Sequence, residues 1–354
     1  MASQGRRIDL RSEVVTRPTT EMWAAMHDAE IGWPQRGDDA NVNELERRAA
    51  QMTGMEAGLF VFTASLANLL ATMLSTSRGD QAILESDAHQ VWIEGQNLAS
   101  ICGLYPRLVA SETGAMPLDE VDAILNEWRG PARPRTSFVA LESPHNDHGG
   151  TIVPLDYIEA LAELVHRHGC HLHMDGARIH NAAIATGIPV RRFTQPLDTV
   201  TISLNKGLGA PLGALLCGSA DRIEQARHRG LKWLGASGMH RGGFFAAAGL
   251  YALDHMVDRL ADDHRRACAI ADGIRDLPGI EVNRPQTNQV RVSTAPGGRH
   301  AAQFVDALAE HGVLVLLRQD FVFKIMTHCE IDDDAVQIAI GALRNVLSQA
   351  PVTC

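Results

Sequence analysis

The sequence predicts a two-lobed α/β protein whose larger lobe carries a mostly parallel sheet covered by helices. Three observations carry this. Short apolar runs alternate with helical stretches from about residue 57 to residue 218, the pattern of successive βα units. At 354 residues the chain is too long for one small core. Beyond about residue 260 the pattern changes to that of a smaller α+β lobe. The expected division is a large lobe over 1–255, with 1–20 as an extended arm, and a small lobe over 256–354.

Taken in order, DLRSEVVTRPT reads as part of the arm and Glu21–Glu30 as a helix, followed by the Gly/Pro/Asp loop GWPQRGDDANVN. Asn43–Thr53 is amphipathic, with Leu45, Ala49 and Met52 on one side. Strands follow at 57–62, 81–85, 105–109, 136–142, 171–175, 199–203 and 213–218. Helices are expected between them at 66–75, 91–100, 118–127 and 155–168. Further helices are expected at 223–232 and at 243–260, the second long enough to bridge the lobes. The small lobe reads as a helix just beyond 260, then strands at 280–283, 289–293, 313–317 and 321–326, with helices at 301–311 and 335–348.

Composition narrows the function classes. Hydrophobic residues make up 45% and charged residues 21%, with a net charge of −10 and no basic stretch. That excludes nucleic acid and anionic membranes as expected partners. No apolar run of about eighteen residues exists to span a bilayer, and the first residues lack an apolar signal core, so a cytoplasmic protein is expected. Six cysteines (102, 170, 217, 268, 329, 354) form no CxxC pair and read as reduced. Sixteen histidines show no compact metal spacing; His171 and His173 alternate on a strand, but no further ligands are evident and no metal is expected.

Only three lysines occur, and one of them, Lys206, sits in the glycine loop SLNKGLGAP. Glycines let backbone and ligand approach closely, and a desolvated lysine amine is a nucleophile toward carbonyl cofactors. A surface lysine in a turn is the bland alternative. Asp175 ends the strand HLHMD, where a carboxylate can pair with a protonated pyridine nitrogen or merely cap a helix. Thr63–Ala64–Ser65 joins a strand to a helix and offers free N–H groups and hydroxyls to a phosphate, or simply an N-cap. His89 follows a strand end and could stack on a cofactor ring or move protons. His145, with His148 nearby, follows another strand and could address a substrate hydroxyl.

Together these pieces resemble the threonine aldolase family, a branch of the pyridoxal phosphate enzymes that touches the β-eliminating lyases. DLRSEVVTRPTTEM, GDDANVNELE, DAH at 87–89, LESPHNDHGG at 141–150, HMDGAR at 173–178, LNKGLGAP at 204–211 and THCEID at 327–332 follow in that family's order. The resemblance implies the fold type I architecture, pyridoxal 5'-phosphate as cofactor, and cleavage of the Cα–Cβ bond of a threonine-like β-hydroxy-α-amino acid to glycine and an aldehyde. By position it implies Lys206 as the Schiff-base lysine, Asp175 on the pyridine nitrogen and His89 on the ring. Thr63, Ala64, Ser65, His240 and Arg241 would hold the cofactor, with Arg178 and Ser12 serving cofactor and substrate carboxylate. His145 would stand by the β-hydroxyl. It also implies a homo-oligomer, dimer or tetramer, with shared active sites.

The sequence departs from the family pattern at several of these places. Asn205 replaces a serine before the lysine, and Arg36 replaces a tyrosine in a loop where Trp33–Pro34 replace two acids. His240 stands for an arginine, with Arg241 one position later, and Lys324 stands for another. Lysine does not grip a carboxylate bidentately as arginine does, so Arg318 and Arg36 are further candidates for substrate binding. The same cofactor chemistry supports racemisation, β-elimination or transfer of a glycyl unit to another aldehyde. A cofactor-free relative kept for interaction is the non-enzymatic alternative.

Overall fold

The structure is a computed structural model that describes residues 6–94, 96–127, 130, 134–236 and 239–348. Residues 1–5 of the expected arm, Cys354 and the rest of the terminus after residue 348 lie outside the described residues, as does Gly95 within the expected helix 91–100. Thirteen strands are described: β1 Ile8–Asp9, β2 Ala57–Val61, β3 Gln81–Glu85, β4 Tyr105–Val109, β5 Thr136–Glu142, β6 His171–Asp175, β7 Thr199–Ser203, β8 Ala214–Gly218, β9 Glu281–Val282, β10 Gln289–Ser293, β11 Val313–Leu314, β12 Leu316–Gln319 and β13 Val322–Met326.

Seven of them form one sheet in the order β2-β8-β7-β6-β5-β3-β4. Pairing is parallel from β7 through β4, and β8 runs antiparallel to both neighbours. β3, β5, β6, β7 and β8 are buried along their whole length, as expected of strands covered on both faces. The register sets Glu142 opposite Asp175, and Asp175 opposite Thr201. The carboxyl ends of β3, β5, β6 and β7 thus share one edge, where open α/β sheets build their sites.

The small lobe has an antiparallel sheet, β12-β13-β10-β9, covered by the helices Leu260–Ile274, Ala301–Glu310 and Asp333–Ser348. β1 pairs in parallel with β11, and Ile8 and Leu10 are buried in this lobe's core with Phe304, Phe323 and Leu343. The N-terminal arm therefore ties the beginning of the chain to its last hundred residues.

Three expected elements differ. The helix expected at 243–260 runs Gly242–His255 and ends early, and after the break at 256–259 the helix expected beyond 260 is Leu260–Ile274, although the apolar spacing runs on across the break. The helix expected at 91–100 is two single turns, His89–Trp92 and Asn97–Ser100, with Gln96 at φ 53 before the second. The strand 313–317 splits because Val313–Leu314 pairs with β1 while Leu316–Gln319 pairs with β13.

Candidate active site

Asp175 is buried at the end of β6. Its Oδ1 accepts the Ala177 N–H at 3.0 Å, and its Oδ2 accepts from Asn68 Nδ2 at 2.9 Å. Asn68 lies within the helix Ala64–Ser75 and gives the same amide group to Glu94 Oε1 at 2.8 Å. With both amide hydrogens committed to carboxylates, Asn68 Oδ1 must accept, and His173 Nε2 lies 3.0 Å from it. His173 therefore carries its proton on Nε2, leaving Nδ1 to accept from Thr199 Oγ1 at 2.9 Å. Burial pushes His173 down to about 4, so this ring is a neutral prop. The strand pair His171 and His173 both spend a nitrogen on Thr199.

Burial works against a charge on Asp175, but Lys206, His89 and the Asn68 amide outweigh it and hold the carboxyl below its ordinary value. Lys206 sits in the turn between β7 and β8. Burial, then the charge of Arg178, lowers its amine from the usual lysine value against the pull of Asp175, Glu13 and Glu142. Among the described residues no hydrogen bond holds that amine. The turn itself depends on Gly213, at φ 116, where a Cβ would fall 2.3 Å from the Phe60 ring. Asn205, in the serine's place, has its Oδ1 2.8 Å from Ser203 Oγ.

His89 begins the short turn after β3. Its N–H donates to Glu142 Oε2 at 2.7 Å and its Nδ1 lies 3.0 Å from Glu94 Oε1. Burial disfavours its protonation, but Glu94, Asp175 and Glu142 more than compensate and raise it. At the other end of the site, Thr63 Oγ1 accepts the Leu66 N–H at 3.1 Å and caps the helix. Ala64 and Ser65 occupy its first two positions, where N–H groups have no partner within a helix.

On the small-lobe side Glu13 is fully buried. It accepts from Arg178 Nε and Nη2 at 2.7 and 2.8 Å and from Asn288 at 2.7 Å. Burial alone would raise Glu13; Arg178 reverses that and holds it far below the usual carboxylate range. Arg178 Nη1 reaches toward Asn146 Oδ1 at 3.5 Å. Lys324, buried in β13, donates to that same Oδ1 at 2.9 Å and also to the Asn146 carbonyl. Arg318 forks onto Asp147, with Nε 2.7 Å from Oδ1. Ser12 caps a short turn, its Oγ accepting the Val14 N–H at 3.4 Å and lying 3.4 Å from Glu13 Oε2.

Arg36 lies elsewhere on the surface, its guanidinium 5.1 Å over the Trp33 ring, and Trp33 meets His240 edge-on at 6.2 Å. His240 and Arg241 are exposed, with Arg241 at φ 62. Residues that sequence reasoning did not single out are Asn68, Glu94, Glu13, Glu142, Asn146 and Glu85. Glu85 ends β3 and receives His145 Nε2 at 3.0 Å and His148 Nε2 at 3.3 Å. An amide side chain in a mostly apolar helix (Asn68) and acids at strand ends (Glu85, Glu142) were the available signals.

A buried acid, a half-buried free amine, an imidazole beside them and an open helix N-terminus make a donor set that fits pyridoxal phosphate. The beta-eliminating lyase family model matches residues 9–296. The chain is 35% identical over 347 residues to the probable low-specificity L-threonine aldolase 2 of Arabidopsis thaliana, covering 96% of this chain and 97% of that protein. It is 36% identical over 327 residues to the low specificity L-threonine aldolase of Escherichia coli K12, covering 92% and 94%. The Leishmania major threonine aldolase structure superposes with a TM-score of 0.82 at 15% identity over 96% of this chain and 99% of that one, a likeness of fold. The chain belongs to the beta-eliminating lyase family, on its threonine aldolase branch, and is a pyridoxal-phosphate-dependent lyase.

Proposed function

We propose that this enzyme cleaves the Cα–Cβ bond of a β-hydroxy-α-amino acid, giving glycine and an aldehyde. The observation that carries the reading is the pairing at the sheet edge of Asp175, kept charged in a buried setting, with Lys206, kept short of its usual proton affinity. Bound pyridoxal phosphate supplies an electron sink for negative charge developing at Cα. Lys206 would hold the cofactor covalently, Asp175 would keep its pyridine nitrogen protonated, and His89 would cover the ring. The N–H groups of Ala64 and Ser65 with the Thr63 and Ser65 hydroxyls would take the phosphate, helped by His240 and Arg241.

Arg178 and Lys324 would bind the substrate carboxylate, with Ser12 and Arg318 as secondary contacts, while Arg36, exposed beside Trp33, would serve only in a site shared with a partner subunit. His145 or His148 would take the proton from the β-hydroxyl as the bond opens. The lobes would divide near residue 256. Exposed Trp23, Trp33 and Trp92 support a homo-oligomer. Among the described residues no helix is long and apolar enough to cross a membrane, which fits a cytoplasmic enzyme. The test is to incubate the holoenzyme with a panel of β-hydroxy-α-amino acids and measure glycine and aldehyde together. Equal release of both is expected; ammonia and a keto acid instead would make it an eliminating lyase.

A further inference from the structure

Glu85 is fully buried at the end of β3, and two imidazoles from the loop after β5 close on its carboxylate. His145 Nε2 lies 3.0 Å from Oε2 and His148 Nε2 3.3 Å from Oε1, with the rings 4.3 Å apart. The carboxylate is itself held by the Asp87 N–H at 2.7 Å and by Ser111 N–H and Oγ at 3.2 and 3.1 Å, with Ser86 Oγ at 3.3 Å. Gly114 leaves room for His145, since a Cβ there would come within 2.8 Å of the ring.

The tautomer follows from the neighbours. The His148 backbone N–H points at His145 Nδ1 at 3.4 Å, so Nδ1 carries the lone pair and the proton sits on Nε2, toward Glu85. A bound cation would need the reverse: a lone pair on Nε2 and a proton on Nδ1 facing an acceptor. The cluster is built to hold protons. It also borders the cleft, because Asn146, next to His145, meets both Lys324 and Arg178.

We propose that Glu85 is the positioning residue for proton transfer at the β-hydroxyl, fixing the His145 tautomer, steering His148, and setting the pH at which His145 gives up a proton. This rests on the aldolase reading above. His145 is buried and His148 keeps 14% of its side chain exposed, so His148 is the member that reaches open space. The charges facing His145 are Glu85 from β3, Glu142 from β5, and Asp147 and His148 from its own loop; Arg318 neutralises Asp147, and Lys324 stands behind Asn146. Burial disfavours a proton on His145, but Glu142 and Glu85 reverse that and raise its affinity.

Neutralising Glu85 therefore lowers the proton affinity of His145. In Glu85→Gln holoenzyme, the acid limb of kcat/KM for cleavage is expected to move down by about one pH unit, with kcat falling about tenfold. Solvent exchange of the glycine Cα proton, which involves no hydroxyl, stays at the wild-type rate. Ser111→Ala, which leaves the charge but removes the hydroxyl donor competing for it, moves the limb the other way and covers the case where Glu85→Gln does not fold. Histidine nitrogen NMR of the holoenzyme reads the same property without turnover: Nε2–H on His145 in wild type, and a lower titration midpoint in Glu85→Gln. An unmoved limb and midpoint, a parallel loss of cleavage and exchange, or a chelator-removable stoichiometric metal on these histidines would overturn the proposal. A wild type that releases no aldehyde yet shows the NMR pattern would sink the aldolase reading and leave the Glu85 tautomer control standing.

Discussion

Asn68 donates to Asp175 Oδ2 at 2.9 Å and to Glu94 Oε1 at 2.8 Å through one amide nitrogen. A single side chain thereby links the acid proposed to pair with the cofactor to the acid that holds His89. Glu94 is raised by burial, against His89 and the Asn68 bond, so it depends on that donor. Asn68→Ala leaves two buried acceptors short of a partner, at about 1–3 kcal/mol each. Urea unfolding should show a loss of that size, and cofactor affinity should fall with it. Asn68→Asp, adding a third carboxylate, should be worse; equal stability of all three proteins would contradict this role.

The Glu13–Arg178 pair predicts an acid-dependent stability. The folded value of Glu13 lies below its unfolded value of about 4.3, so the unfolded chain binds the extra proton. Its contribution is complete above that pH and is lost as pH falls toward the folded value. Glu13→Gln should cost about 3–5 kcal/mol at pH 7, since it strands a buried guanidinium. It should also flatten the decline of stability below about pH 4.3. Denaturant titrations at several pH values check both, and an unchanged slope would count against the pair.

Lys324 predicts a pH-dependent substrate affinity. Burial, then the Arg178 charge, lowers its amine to about 7. As pH rises through that value the lysine loses its charge, so KM for the amino acid should rise while kcat changes less. Lys324→Arg, always charged, should remove the dependence of KM on pH. A KM profile identical in the two proteins would remove Lys324 from the carboxylate site.

Much of this architecture was legible because its signals are local. The buried strands are short segments with apolar residues in every one, Asp175 ends one of them, His89 follows another, and Lys206 is marked by its glycine loop. The partners were not legible. Glu13 meets Arg178 across 165 positions, and Asn68 meets Asp175 across 107. His145 reaches Glu85 because β3 and β5 are sheet neighbours. Those meetings come from strand order and from the arm's crossing to the small lobe, neither of which leaves a periodic trace. The break at 256–259 was placed too late, at about residue 260, because the apolar spacing continues through a region with no glycine or proline to mark it.

The most direct test of the central claim follows the visible absorption of the cofactor-loaded protein together with aldehyde release from β-hydroxy-α-amino acids. Wild type should show the band of lysine-bound cofactor and release aldehyde and glycine in equal amounts, and Lys206→Ala should lose both. A Lys206→Ala protein that keeps the band and the cleavage would contradict the account.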